Sequence, residues 1–177
     1  NKMNWKLLQD ASWDGYEEIP AYIMSGYLTH LIEMQDSINV INTPNIDVVF
    51  LQAGVGSWPA ACIWYYINRY KINKPKIVLV EPENSSGILQ SLSSGKRITP
   101  IGSFDTIMAG LNCGIPSKSG WNIIMNGCDA ALTISDEYTK KSMRSLFYPI
   151  DDDKKIVSGE SGAAGLGGLF KLIEEDK

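Results

Sequence analysis

The stretch Val48-Val49-Phe50-Leu51-Gln52-Ala53-Gly54-Val55-Gly56-Ser57-Trp58-Pro59-Ala60-Ala61 sets the architecture of this chain. Val48 to Leu51 is an apolar run of β-branched and aromatic residues, the pattern of a strand buried on both faces. A loop of small residues follows. A helical pattern opens straight after it at Pro59, where the missing proline N–H costs nothing. Such a strand–loop–helix unit gathers backbone N–H groups at the positive end of a helix dipole, which makes an anion site. Gly54 and Gly56 permit backbone angles and close approaches that a side chain blocks. The loop is neither a Walker loop nor a dinucleotide fingerprint: no Gly-Lys-Ser/Thr follows, and no third glycine falls in register. Two readings stand at this point, a phosphate cradle and a tight turn without a ligand.

On its C-terminal side, Ile77 to Val80 and Ala130 to Ile134 repeat the buried-strand pattern, and on its N-terminal side Trp5 to Leu8 reads as a further short strand. Helical patterns separate them. Ile23, Met24, Tyr27, Leu28, Leu31 and Met34 form one stripe after Pro20, and Ser37 to Pro44 ends it. Ala60 to Tyr70, Asn84 to Gly95 and Trp121 to Gly127 are the next helices. Another is capped by Ser135 and reaches Phe147, and a last one runs from about Leu166 to Ile173. Alternating strands and helices with continuous apolar strands predict a single α/β domain over residues 1–177, a parallel sheet covered by helices on both faces. Ligands bind such sheets beyond the carboxyl ends of the strands, which is where Gly54–Ser57, Glu81 and Gly110 are expected. Glu81, before Pro82, reads first as an exposed strand terminator at the sheet edge.

The 177 residues suffice for one core, and a hydrophobic share of 44% with 20% charged residues is ordinary for a globular chain. A net charge of −4 leaves no basic stripe for nucleic acid, so an anionic ligand must be held by local amides. No apolar run is long enough to span a membrane, and no secretory leader is visible. Cys62, Cys113 and Cys128 are odd in number and lack metal-ligand spacing, and His30 is the only histidine. The expectation is reduced thiols in a cytoplasmic protein with no metal site. Trp13, Trp58, Trp64 and Trp121 read as packing anchors.

Four motifs occur in order: Gln52-Ala53-Gly54-Val55-Gly56-Ser57, then Val80-Glu81-Pro82, then Thr106-Ile107-Met108-Ala109-Gly110-Leu111, then Ser158-Gly159-Glu160-Ser161-Gly162-Ala163-Ala164-Gly165. Together they resemble the fold type II pyridoxal-phosphate enzymes, the tryptophan synthase β-like group. Within it the chain is most similar to the diaminopropionate ammonia-lyases. That similarity extends to Gln9-Asp10-Ala11-Ser12-Trp13 and Tyr16-Glu17-Glu18-Ile19-Pro20.

The resemblance implies a pyridoxal 5′-phosphate cofactor and α,β-elimination of 2,3-diaminopropionate to pyruvate and ammonia. It assigns Gly54, Val55, Gly56 and Ser57 to the cofactor phosphate, the Ser57 hydroxyl adding a hydrogen bond. Ala109 and Gly110 would approach the cofactor ring, and Glu160 would lie near the cofactor. Asp10 would be the active-site carboxylate facing a substrate with two amino groups. Away from the resemblance, Glu160 is a helix N-terminal carboxylate and Asp10 a turn residue.

The family's Schiff-base lysine lies in a more N-terminal segment, and a strand follows its last helix. The sequence therefore reads as part of the large domain, lacking both. The expected partners are an amino-acid substrate, the rest of the same enzyme with its Schiff-base lysine, and a second copy in a homodimer. A serine or threonine dehydratase of the same fold is the first alternative, and a non-catalytic module binding a phosphorylated ligand is the second.

Overall fold

A computed structural model describes residues 5–41 and 46–175. Three parallel strands form one sheet: β1 (Val48–Gln52), β2 (Lys76–Pro82) and β3 (Ala130–Ile134), with β2 in the centre. Among the described residues six α-helices surround it: α1 (Glu18–Ile41), α2 (Ser57–Tyr70), α3 (Gly87–Ser94), α4 (Lys118–Gly127), α5 (Asp136–Phe147) and α6 (Glu160–Glu175). The register aligns Leu51 with Leu79 and Leu79 with Ala131. Past the end of β1, the Ala53 N–H still reaches the Val80 carbonyl at 2.9 Å.

Side chains alternate across a strand, so the sheet feeds two cores. Leu51, Ile77 and Leu79 pack with Ile63 of α2 and Ile124 of α4, and the apolar stripe of α1 lies over them with Met24, Leu28 and Leu31. On the opposite face Val80 and Ile134 pack with Ala164 of α6, Met108 and Leu111. Each fully buried Ile or Leu contributes roughly 1.5–3 kcal/mol. The two cores make this the doubly covered parallel sheet expected from the strand pattern.

Glycine lets α6 lie flat on the sheet. A Cβ at Gly165 would sit 2.9 Å from the Phe50 carbonyl oxygen, and one at Gly168 would sit 2.5 Å from a Val80 methyl. These glycines therefore belong to a helix, and α6 begins at Glu160 rather than near Leu166. Gly95 ends α3 in the left-handed conformation, with φ +70°, as its sequence position implies.

Several local expectations fail. Trp5 to Leu8 forms no strand: these side chains are exposed and no neighbouring strand pairs with them. Glu81 is not an exposed terminator: it is 1% exposed, because β2 is the central strand. Helix α1 also continues through Ser37 to Ile41, while the remainder of the expected break, residues 42–44, lies outside the described residues. Trp121 is a buried anchor, whereas Trp13 and Trp64 are exposed.

Candidate functional site

The loop between β1 and α2 has a geometry that only glycine supplies at two points. Gly56, the residue before α2, has φ +100°, and a Cβ there would lie 2.6 Å from Ile124 Cδ1. A Cβ at Gly54 would lie 2.9 Å from the Gly110 carbonyl oxygen and 3.0 Å from Cys113 Sγ. The loop is thus clamped between α4 and the Gly110–Cys113 segment. Across the cavity, Ser161 of α6 accepts the Gly110 N–H at 2.9 Å and fixes that segment in turn.

Between these walls lies a cavity of about 380 Å³ at the carboxyl end of the strands. Asp10, Gly54, Val55, Gly56, Ser57 and Gly110 all line it, six of the eight residues singled out from sequence. Ala109 and Glu160 do not: both are exposed, each beside a wall residue, Gly110 and Ser161 respectively. Glu160 stands in the first turn of α6, where the helix dipole favours a carboxylate. Tyr27, Cys113 and Ser161 line the cavity as well. Ser161 lies in the fourth motif, whereas the neighbourhoods of Tyr27 and Cys113 carry no signal for that role. Tyr27 looks like one more member of the α1 stripe, and Cys113 sits in a loop of Gly, Pro and Ser.

Among the described residues, no acceptor takes the N–H groups of Gly54, Gly56, Ser57 or Trp58. The first turn of α2 also holds no acidic side chain. Gly56 and Ser57 are buried and Gly54 and Trp58 half-buried, and N–H groups without partners at such positions are uncommon, so this cluster marks a place for an acceptor-rich group. The Ser57 hydroxyl is used differently from expectation. It donates to the Asp10 carbonyl at 2.9 Å, so its proton points to the chain and not to the cavity.

Charge in the cavity comes from Asp10. Its carboxylate raises the Tyr27 phenol after burial, the larger cause. The Cys113 thiol is likewise pushed up by burial, pulled back by the Val55 N–H, and raised again by Asp10 and Glu81. Glu81 itself does not line the cavity. Its two oxygens accept the Ile88 and Leu89 N–H groups at 2.8 Å each, capping α3, and burial pushes its carboxyl up to about 7.

A larger cleft of about 1040 Å³ opens at the other end of the sheet, near Arg69, Lys74 and Lys76. It lies at the amino ends of β1 and β2. Two of its cations, Lys74 and Lys76, are already paired with Asp129. The smaller cavity has the features of a ligand site.

The walls of this cavity suit a pyridoxal phosphate. Four free amides at a helix start match a phosphate dianion, and the volume lies within the roughly 300–1,000 Å³ of small-ligand pockets. Residues 4–177 match the family described as "Pyridoxal-phosphate dependent enzyme". The diaminopropionate ammonia-lyase of Salmonella typhimurium is 38% identical over 172 residues, 96% of this chain and 43% of that protein. The Escherichia coli K12 enzyme of the same name is 36% identical over 165 residues, 93% of this chain and 41% of its own length. The chain thus spans less than half the length of these relatives.

A crystal structure of the Escherichia coli enzyme in complex with an aminoacrylate–PLP azomethine reaction intermediate superposes with a TM-score of 0.87 at 34% identity, over 98% of this chain and 46% of that one. Maize serine racemase shares the fold, with a TM-score of 0.73 at 21% identity over 88% of this chain and 45% of its own. Sequence match, fold and free amides agree: the chain belongs to the pyridoxal-phosphate dependent enzyme family.

Proposed function

We propose that the protein carrying this chain is a carbon–nitrogen lyase that converts 2,3-diaminopropionate to pyruvate and ammonia by α,β-elimination, and that this chain supplies its phosphate-binding loop. The observation that carries the reading is the row of acceptor-free amides at the start of α2, in a chain that matches diaminopropionate ammonia-lyases along nearly all its length. The N–H groups of Gly54, Gly56, Ser57 and Trp58 take the phosphate, and Val55 keeps the loop against Cys113. Gly54 and Gly110, without side chains, pack backbone to backbone and close one wall of the cavity in which the ring lies, with Ala109 and Glu160 at the flank. When bound, pyridoxal phosphate supplies an electron sink for the carbanion left by α-proton removal.

Asp10 is the carboxylate of the cavity and meets the second amino group of the substrate. It pairs with that group as an ammonium, orients it, and keeps it protonated, so that the β-nitrogen departs as neutral ammonia with the C–N bond pair. Tyr27 stands beside it as a second polar wall. The Schiff-base lysine comes from a segment of the same enzyme outside residues 1–177, and the working form is a homodimer in the cytoplasm. Among the described residues no helix is long and apolar enough to cross a membrane. This chain on its own is expected to bind without turnover.

The test is a titration with pyridoxal phosphate followed by tryptophan fluorescence, since Trp58 lines the cavity. Saturable quenching supports the reading, and its absence favours a non-catalytic module. A substrate comparison on the full-length enzyme then separates the lyase from a dehydratase: diaminopropionate should outperform serine and threonine.

A further inference from the structure

Asp10 lies in a segment with no helix or strand to hold it, since residues 5–12 form neither. Three serines do that work instead. Ser57 Oγ donates to the Asp10 carbonyl at 2.9 Å. Ser117 Oγ reaches the same oxygen at 3.4 Å and accepts the Ser12 N–H at 2.9 Å. Ser12 Oγ lies 2.9 Å from Ser117 Oγ and accepts the Ser119 N–H at 2.6 Å. A single assignment of protons uses every group: Ser119 N–H to Ser12, Ser12 O–H to Ser117, Ser117 O–H to Asp10. Ser12, Ser57 and Ser117 are 3%, 3% and 2% exposed, so water does not compete for these bonds. The Ser117 N–H closes the circuit on the Val55 carbonyl at 2.7 Å, inside the glycine loop.

Ser57 therefore has two attachments. Its N–H is one of the free amides at the start of α2, and its hydroxyl holds the main chain of Asp10. We propose that Ser57, backed by Ser117 and Ser12, is the positioning residue that seats Asp10 in the cavity, so that occupation of the phosphate site also fixes the Asp10 segment. This rests on the reading of the α2 amides as the phosphate site and of Asp10 as the cavity's carboxylate. The competing role for Ser57, a hydroxyl donated directly to phosphate, makes the opposite prediction for ligand affinity.

The experiment compares the full chain with its Ser57→Ala and Ser117→Ala variants, using pyridoxal phosphate as the probe. Two quantities are read: cofactor affinity by tryptophan fluorescence, and amide hydrogen exchange of residues 9–13 with and without cofactor. In the unaltered chain, cofactor should slow exchange there. In Ser57→Ala, affinity should stay within about threefold, while exchange of residues 9–13 rises about tenfold, the worth of one buried hydrogen bond, and stops responding to cofactor. Ser117→Ala should raise exchange in the same residues with affinity unchanged, and it carries the test if Ser57→Ala does not fold.

A loss of affinity beyond about tenfold in Ser57→Ala would make its hydroxyl a phosphate ligand and overturn the proposal. Unchanged exchange in both variants would overturn it too. If the unaltered chain shows no saturable binding, the phosphate reading fails first and the coupling falls with it. Binding with no change in exchange at residues 9–13 sinks the coupling alone.

Discussion

Glu81 offers a prediction whose sign and size both follow from its surroundings. The carboxyl is buried beneath α3 and pushed up to about 7 from an ordinary 4.5, burial outweighing the two N–H groups that favour its charge. The folded protein therefore holds the proton more tightly than the unfolded chain does. Glu81's contribution to stability is full below about pH 4.5, falls as the pH rises toward 7, and levels off above. At roughly 1.4 kcal/mol per unit the loss is at most about 3 kcal/mol.

Glu81→Gln removes the titration. It also turns one acceptor into a donor facing the Ile88 or Leu89 N–H, a pH-independent penalty of about 1–3 kcal/mol. Urea unfolding of both proteins, followed from pH 4.5 to 8 by far-ultraviolet circular dichroism, should show the variant weaker in acid. The gap should close by up to about 3 kcal/mol toward pH 8. Subtracting the two curves cancels every other titrating group. A gap that stays constant, or widens as pH rises, would mean that the amides dominate over burial and that the cap is not protonated.

Gly54→Ala should weaken pyridoxal phosphate binding about tenfold, because its Cβ would meet the Gly110 oxygen at 2.9 Å and pry the cavity walls apart; unchanged affinity in the fluorescence titration would contradict it. Gly56→Ala forces a side chain into a left-handed backbone against Ile124 and should lower the urea midpoint by the equivalent of about 1–3 kcal/mol. In the full-length enzyme, Asp10→Asn should abolish most pyruvate formation while leaving the cofactor absorbance spectrum in place, and loss of both would assign Asp10 to cofactor binding instead. Asp129 is held well below the usual carboxylate range: Lys74, the Ile77 N–H and Lys76 together outweigh burial, the largest single influence. Asp129→Asn should therefore cost about 1 kcal/mol at pH 7, discounted for partial exposure, and the difference from the unaltered chain should begin to shrink in urea unfolding only as pH falls below about 4, and go on shrinking well below that.

What the sequence makes legible is what short range decides. The strand Ala130–Ile134 has the same bounds in pattern and in structure, because five residues of strand character between a polar turn and Ser135 leave little choice. The helix after Gly56 is equally local. Glu81 is not: its burial depends on β2 lying between β1 and β3, a fact about pairing partners far along the chain. Trp5 to Leu8 has strand-forming residues, but β propensity needs a neighbouring strand to act on. The glycines at 162, 165, 167 and 168 disguise the start of α6, since glycine weakens an isolated helix by about 1 kcal/mol each. Contact with the sheet at Phe50 and Val80 reverses that preference. The serine clasp joins residues 105 positions apart, Ser12 and Ser117, and no local pattern can announce it.

The placement of the anion site itself is also a long-range result, because every helix start carries the same partial charge. At α3 the positive end is filled by Glu81, whose oxygens take the Ile88 and Leu89 amides. At α4 the Lys118 and Ser119 N–H groups are taken by the carbonyl and hydroxyl of Ser12. Helix α5 opens with Asp136 and Glu137, α6 with Glu160 and α1 with Glu18, so carboxylates already occupy those dipoles. Among the described residues α2 is left with free amides, no carboxylate in its first turn, and a cavity in front of it. A phosphate dianion bound elsewhere would have to displace a buried carboxylate or a serine, or sit against an acidic side chain. At α2 the amides are already free, and that difference is the ground for proposing the phosphate site at Gly54–Trp58 on a chain whose net charge is negative.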